Sequence, residues 1–201
     1  MAERKKRGLS VDKKAELLLA AQDFRRRFFK DQERFNPVRV IEHCLPLLYP
    51  TLVTDVVDKI DVDGHPAEAA VTFDKGILLE VTEATYLGAL ECIQDKNFSM
   101  RTLRNAPHLF TLAHEISHIL LHTKACQKKA KQLARGVPGR GTSFRSNPRQ
   151  EMEANVFAGG LMIPIDVVTK DVDIDTLRIR YRVSYDVAAR IITQRKEIEG
   201  S

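Results

Sequence analysis

The sequence predicts an α+β domain in which a small antiparallel three-stranded sheet packs on helices, with a helical C-terminal tail. Three observations predict it. Apolar residues recur at helical spacing in both halves of the chain. Between residues 54 and 82 the period changes to alternation, punctuated by two turn signals. A later apolar run, residues 112–122, contains His-Glu-x-x-His, with polar residues at the positions a metal site needs. Residues 1–10 read as a disordered basic arm, 11–165 as the core domain, and 166–201 as a tail packed on that core.

In order, residues 11 to about 30 carry Leu17, Leu18, Ala21, Phe24 and Phe28 on one helical stripe. Arg25, Arg26 and Arg27 lie among them and are expected on a solvated face. Asn36-Pro37 opens a second helix bearing Val40, Ile41, Cys44, Leu45 and Leu48, with Pro50 beyond its end. Residues 55–60, 69–73 and 76–81 then read as a three-stranded meander. Asp63-Gly64 and Asp74-Lys75 are its turn signals. Residues 83–94 read as a helix and 96–107 as a polar connection containing Arg101 and Arg104. Residues 124–149 hold eight Lys or Arg and no acid, with glycines and prolines in the second half. That stretch reads as a basic loop, either a solvated connection or a docking loop for an acidic segment or nucleic acid. Residues 174–181 and 184–195 form a helix pair, with Leu177, Tyr181, Val183, Val187, Ala188 and Ile191 inward and Ser184 as an N-cap.

Composition narrows the classes. The length suits one domain with an appendage, and the net charge of +5 permits an anionic partner without requiring one. Cys44, Cys92 and Cys126 are scattered, without a C-x-x-C pair, so a reducing, cytoplasmic setting is expected. No apolar run approaches the roughly 20 residues a membrane helix needs, and no hydrophobic segment follows the charged N-terminus. Neither a membrane span nor secretion is expected.

The apolar run carries the chemistry. His114 and His118 are four residues apart, so a helix places both imidazoles on one face, a turn apart. Each can reach one metal ion at about 2.0–2.1 Å. Glu115 points elsewhere on the turn, where a carboxylate can act as general base without ligating the metal. The competing account is a core helix with two buried histidines.

A mononuclear site needs a third ligand and one open position for water. His122 is rejected, because eight residues along a straight helix rise roughly 12 Å. The better ligand lies in a second helix. Asn147 is its N-cap, Pro148 its first residue, and Gln150 completes a capping box. Glu151 then falls in the first turns, facing inward with Ala154, Phe157, Ala158 and Leu161. Asn155 shares its face and can hydrogen-bond a ligand. Glu153, roughly 200° around the helix, is the alternative ligand. Glu151 could also be a solvated first-turn acid favoured by the helix dipole.

The pattern His-Glu-x-x-His-x-x-x-His, then Glu-x-Glu-Ala-Asn-x-Phe-Ala and Leu-Met-x-Pro, resembles the ImmA/IrrE family of zinc peptidases. The matching segments are residues 110–122 and 151–164. Ser117 stands where the family usually has Gly, and Gly159-Gly160 also departs from its pattern. The resemblance runs from about residue 35 to the C-terminus and implies that the core domain, residues 11–165, is a zincin-like metallopeptidase domain. It implies zinc, or manganese in its place, held by His114, His118 and Glu151. Glu115 would take the water's proton and pass it to the leaving amine. A further donor should stabilise the oxyanion, and Tyr86, His108, Arg104 and Tyr181 stay open for that role. A free edge strand would hold an extended peptide. The expected substrate is a protein, in this family a transcriptional repressor with a helix-turn-helix. Two other functions stay open: a metal-binding regulator that holds a partner without cutting it, and a nucleic-acid-binding protein using the basic loop and tail.

Overall fold

The computed structural model describes residues 8–29, 34–62, 64–73, 76–97, 99–133 and 147–200, with the backbone alone described for 125–133. The basic arm at residues 1–7, the Asp74-Lys75 turn and residues 134–146 of the basic stretch lie outside the described residues.

Helix α1 (Val11–Phe28) starts at Ser10, whose side chain accepts from the Lys13 N–H at 3.3 Å. Its inner stripe is Leu17, Leu18, Ala21, Gln22 and Arg25. Arg25 corrects an expectation. Arg26 and Arg27 are exposed, but Arg25 is buried and donates to the Leu161 carbonyl. That carbonyl lies at a helix end, where no intrahelical donor remains and a cation is favoured. Next, α2 (Pro37–Arg39), a π turn (Val40–Cys44) and α3 (Leu45–Leu48) form one helical run capped by Asn36. The π turn precedes Pro46, which has no N–H for the Glu42 carbonyl. The Leu45 N–H goes to Val40 instead.

The α+β class and the three-stranded sheet are present, but the sheet is mixed. Its order is β1-β5-β4, with β1 (Leu52–Val57) parallel to β5 (Ile77–Thr82) and β4 (Ala69–Phe73) antiparallel to it. The expected all-antiparallel meander is thereby corrected. Between β1 and β4 the chain forms a separate antiparallel hairpin, β2 (Ile60–Val62) with β3 (His65–Ala67). Gly64 there takes φ +83° and donates its N–H to Asp61 Oδ1 at 2.6 Å. This detour returns β4 on the far side of β5. Ile77, Leu79 and Val81 alternate inward along the central strand.

Helix α4 (Glu83–Gln94) occupies the expected span. Helix α5 (Met100–Leu133) extends beyond expectation at both ends. Residues 100–107 are helical rather than a connection. The Asp95 carboxylate accepts from Ser99, Thr102 and the Asn97 N–H, and these bonds tie down the entry. Ser99 first, then Thr102, hold that carboxyl at about 2. Pro107 lies inside the helix, exposed, between buried Ala106 and Leu109, whose packing keeps the helix continuous. Residues 124–133 continue it because Ala, Gln, Lys and Leu dominate them.

Helix α6 (Pro148–Met162) lies between α5 and α1. After the 3-10 turn Ile165–Val167 come α7 (Ile174–Tyr181) and α8 (Tyr185–Glu199). The inward residues of this pair are those expected, and α8 packs on α1 and α6. Between α7 and α8, Arg182 is buried at φ +56° and donates to the Cys92, Ile93 and Asp95 carbonyls, closing the end of α4. Among the described residues, no helix is long and apolar enough to cross a membrane.

The Gly159-Gly160 pair admits close neighbours on both sides of α6. A Cβ at 159 would stand 2.5 Å from Ile191 Cδ1, and one at 160 would stand 2.9 Å from Ala21 Cβ and 3.0 Å from Leu18 Cδ2. Gly160→Val is therefore expected to destabilise the protein by about 1–3 kcal/mol through overpacking. Urea unfolding checks this, and an unchanged midpoint would contradict the tight α1–α6 contact.

Candidate metal centre

Both helices that carry the site are fixed locally. In α5, Leu112, Ala113, Ile116 and Ile119 are buried and anchor one side. His114 and His118 emerge a turn apart on another face, with side chains 17% and 9% exposed. Ser117 does not disturb this turn, because its hydroxyl donates to the Ala113 carbonyl at 2.6 Å. In α6, Asn147 accepts from the Arg149 and Gln150 N–H groups at 3.0 Å each, and Gln150 Oε1 accepts from the Asn147 N–H at 3.1 Å. That capping box, with Pro148 following, sets where α6 begins and so where Glu151 projects.

The two helices bring His114, His118 and Glu151 together, with one ligand atom from each lying within 4.8 Å of the others. His114 Nε2 is 3.0 Å from His118 Nε2 and 3.2 Å from Glu151 Oε2. His118 Nε2 is 3.3 Å from Glu151 Oε1. Two ligands of one tetrahedral zinc, each about 2.0–2.1 Å from it, stand about 3.3–3.4 Å apart. Two imidazole nitrogens and a carboxylate oxygen at these separations fit a zinc-type ion and leave one of its positions to other ligands.

The electrostatics follow from the geometry. Hydrogen bonds to His114 and then His118 hold the Glu151 carboxyl well below the usual carboxylate range. Burial pulls His114 down, but the Glu151 bond and the charges of Glu115 and Glu151 outweigh it, and the net shift is upward. Burial pushes Glu115 up to about 7, against the pull of His114 and His118. A carboxylate poised there suits proton transfer near neutral pH.

These shifts give a sign for the metal-free protein. Glu151 contributes stability above its unfolded value of 4.5, and that contribution is lost as pH falls through its lower folded value. His114 contributes stability below 6.5, and that contribution is lost as pH rises through its higher folded value. Glu115, raised to about 7, opposes the pair by costing stability as pH climbs above 4.5, so the cluster's stabilisation is expected to peak near 4.5 and to fall on either side. Melting curves of chelator-stripped protein should show the peak, and Glu151→Gln should flatten it.

The remaining sequence-derived residues divide. Asn155 donates to the Glu151 carbonyl at 2.8 Å, and its side chain also favours protonated His114. Glu153 pairs with Arg149 at 3.1 Å and is not in the donor group. His122 is buried, its ring centroid 5.5 Å from that of His118, and it too is outside the group. Burial first, then His118, pulls its pKa below the usual histidine value. Of the oxyanion candidates, Tyr86 donates its hydroxyl to Glu42. His108 lies within α5, against Gly88, with Nδ1 3.6 Å from Glu68. Arg104 is exposed on α5. Tyr181 is buried at the end of α7, beneath the Arg180 guanidinium.

The sequence reading missed two neighbours. Phe110 lies one turn before His114, with ring centroids 6.5 Å apart. Arg190, from α8, places its guanidinium 5.9 Å from the Phe110 centroid and 3.5 Å from Asn155 Oδ1. The spacing of Phe110 from His114 could have signalled the first. Nothing in the sequence links residue 190 to either metal helix.

Comparison with known families agrees with this geometry. The family model Peptidase_M78, described as the IrrE N-terminal-like domain, matches residues 100–193. This stretch of the chain is similar to the Peptidase_M78 domain. The match starts with α5 and ends within α8, so it contains His114, Glu115, His118 and Glu151. Similarity to Peptidase_M78 supports a metallopeptidase-type function, and the His-His-Glu group is a matching candidate metal-binding feature. No curated protein matches the chain.

Proposed function

We propose that this protein is a zinc-dependent endopeptidase acting on a regulatory protein, with a helix-turn-helix repressor as the expected substrate class. The observation that carries the reading is the convergence of His114, His118 and Glu151 from two helices, with Glu115 beside them. His114, His118 and Glu151 would hold the ion. Zinc there would supply Lewis acidity, polarising a peptide carbonyl and acidifying the attacking water. Glu115 takes the water's proton and delivers it to the leaving amine, converting one amide into an amine and a carboxylate. β4 is an outer strand of its sheet and packs against α5, so an extended peptide paired along it would pass close to the metal helix. The setting proposed is cytoplasmic.

The test is incubation with candidate repressors in Zn²⁺ or Mn²⁺. Metal-dependent fragments that vanish with chelator support the reading. A metal-loaded protein that binds a repressor and leaves it whole would make it a non-cleaving regulator instead.

A further inference from the structure

We propose that Arg190 forms a carboxylate-binding subsite beside the metal centre, so that the substrate carries Asp or Glu next to the bond that is cut. This rests on the peptidase reading above and deepens it.

The arginine's surroundings carry the argument. Arg190 comes from α8 yet meets one residue from each of the two helices that carry the donor group. It spans Phe110, one turn before His114 on α5, and Asn155, one turn after Glu151 on α6. Its contacts are with these flanking residues rather than with the donors, which suits a neighbouring side-chain position of a bound peptide. The guanidinium is exposed, and no carboxylate among the described residues pairs with it. Its neighbours differ: Arg178 pairs with Asp175 at 2.7 Å and Arg195 with Glu199 at 2.8 Å. The Phe110 ring and the Asn155 carbonyl oxygen lie beside the planar guanidinium fork and leave its other N–H donors free. A carboxylate is the group that matches such a fork in both charge and geometry.

The test profiles cleavage of a mixed peptide library by the zinc-loaded full chain and by Arg190→Glu. The parent is expected to favour peptides with Asp or Glu beside the cut over their Asn or Gln counterparts by about tenfold, the scale of one charge-assisted pair. Arg190→Glu should shift the preference toward Lys or Arg at the same position, with circular dichroism confirming the fold. Cleavage without acidic preference, or a preference that survives Arg190→Glu, overturns the subsite.

A second arm separates this from failure of the peptidase reading. Titration of Glu115→Gln protein with the same Asp/Glu and Asn/Gln peptides measures binding alone. Acid-selective binding lost in the double variant with Arg190→Glu supports the subsite even if nothing is cut. No selectivity in binding overturns it, whatever the activity.

Discussion

Glu115→Gln is expected to hold its metal as the parent does and to lose cleavage by about 10²–10⁴-fold. The amide has almost the same shape as the carboxyl, and Glu115 is not in the donor group, so the ion's ligands are untouched. What disappears is the proton acceptor. Burial raises Glu115 to about 7, so the native side chain can accept a proton near neutral pH and release it again. A glutamine can do neither. Metal analysis beside a fragment assay checks both halves. Normal cleavage by Glu115→Gln would end the general-base assignment, and loss of metal would mean that Glu115 belongs to the ligand set.

Glu151→Ala is expected to weaken metal binding by more than about 100-fold, beyond the effect typical of a residue that only orients a ligand. The two histidines would remain 3.0 Å apart on α5, but the carboxylate that approaches both Nε2 atoms would be gone. Glu153→Gln is the matched control. It removes an acid from the same helix whose partner is Arg149, so metal content should be unchanged. Dialysis against trace zinc followed by metal analysis distinguishes the two acids. Retention in Glu151→Ala with loss in Glu153→Gln would exchange their roles.

Much of this site was legible because its signals are local. His114 and His118 share a face by helical spacing alone, and Asn147, Pro148 and Gln150 mark a helix start that aims Glu151. The misses have one physical source, which is tertiary override of a local signal. Pro107 looked like a helix boundary, yet buried neighbours and the Asp95 bonds carry α5 through it. The turn signal at residue 64 was read correctly as a hairpin but attached to the wrong strands, because a separate β2–β3 ribbon intervenes. Arg25 looked solvated beside two exposed arginines, and only the end of α6 explains its burial. Arg190 reaches Phe110 and Asn155 from a helix far along the sequence, and no spacing rule reports that.

The paired glycines of α6 have a further consequence. With nothing but hydrogen at these two positions, α1 and α8 clamp the rod that bears residue 151 from two sides, so two helices far apart in sequence brace the third member of the donor group. Linkage would then run in both directions: an ion bound by the donor group would tighten the grip of α1 and α8, and prying either one loose would lower the ion's affinity by the same free energy.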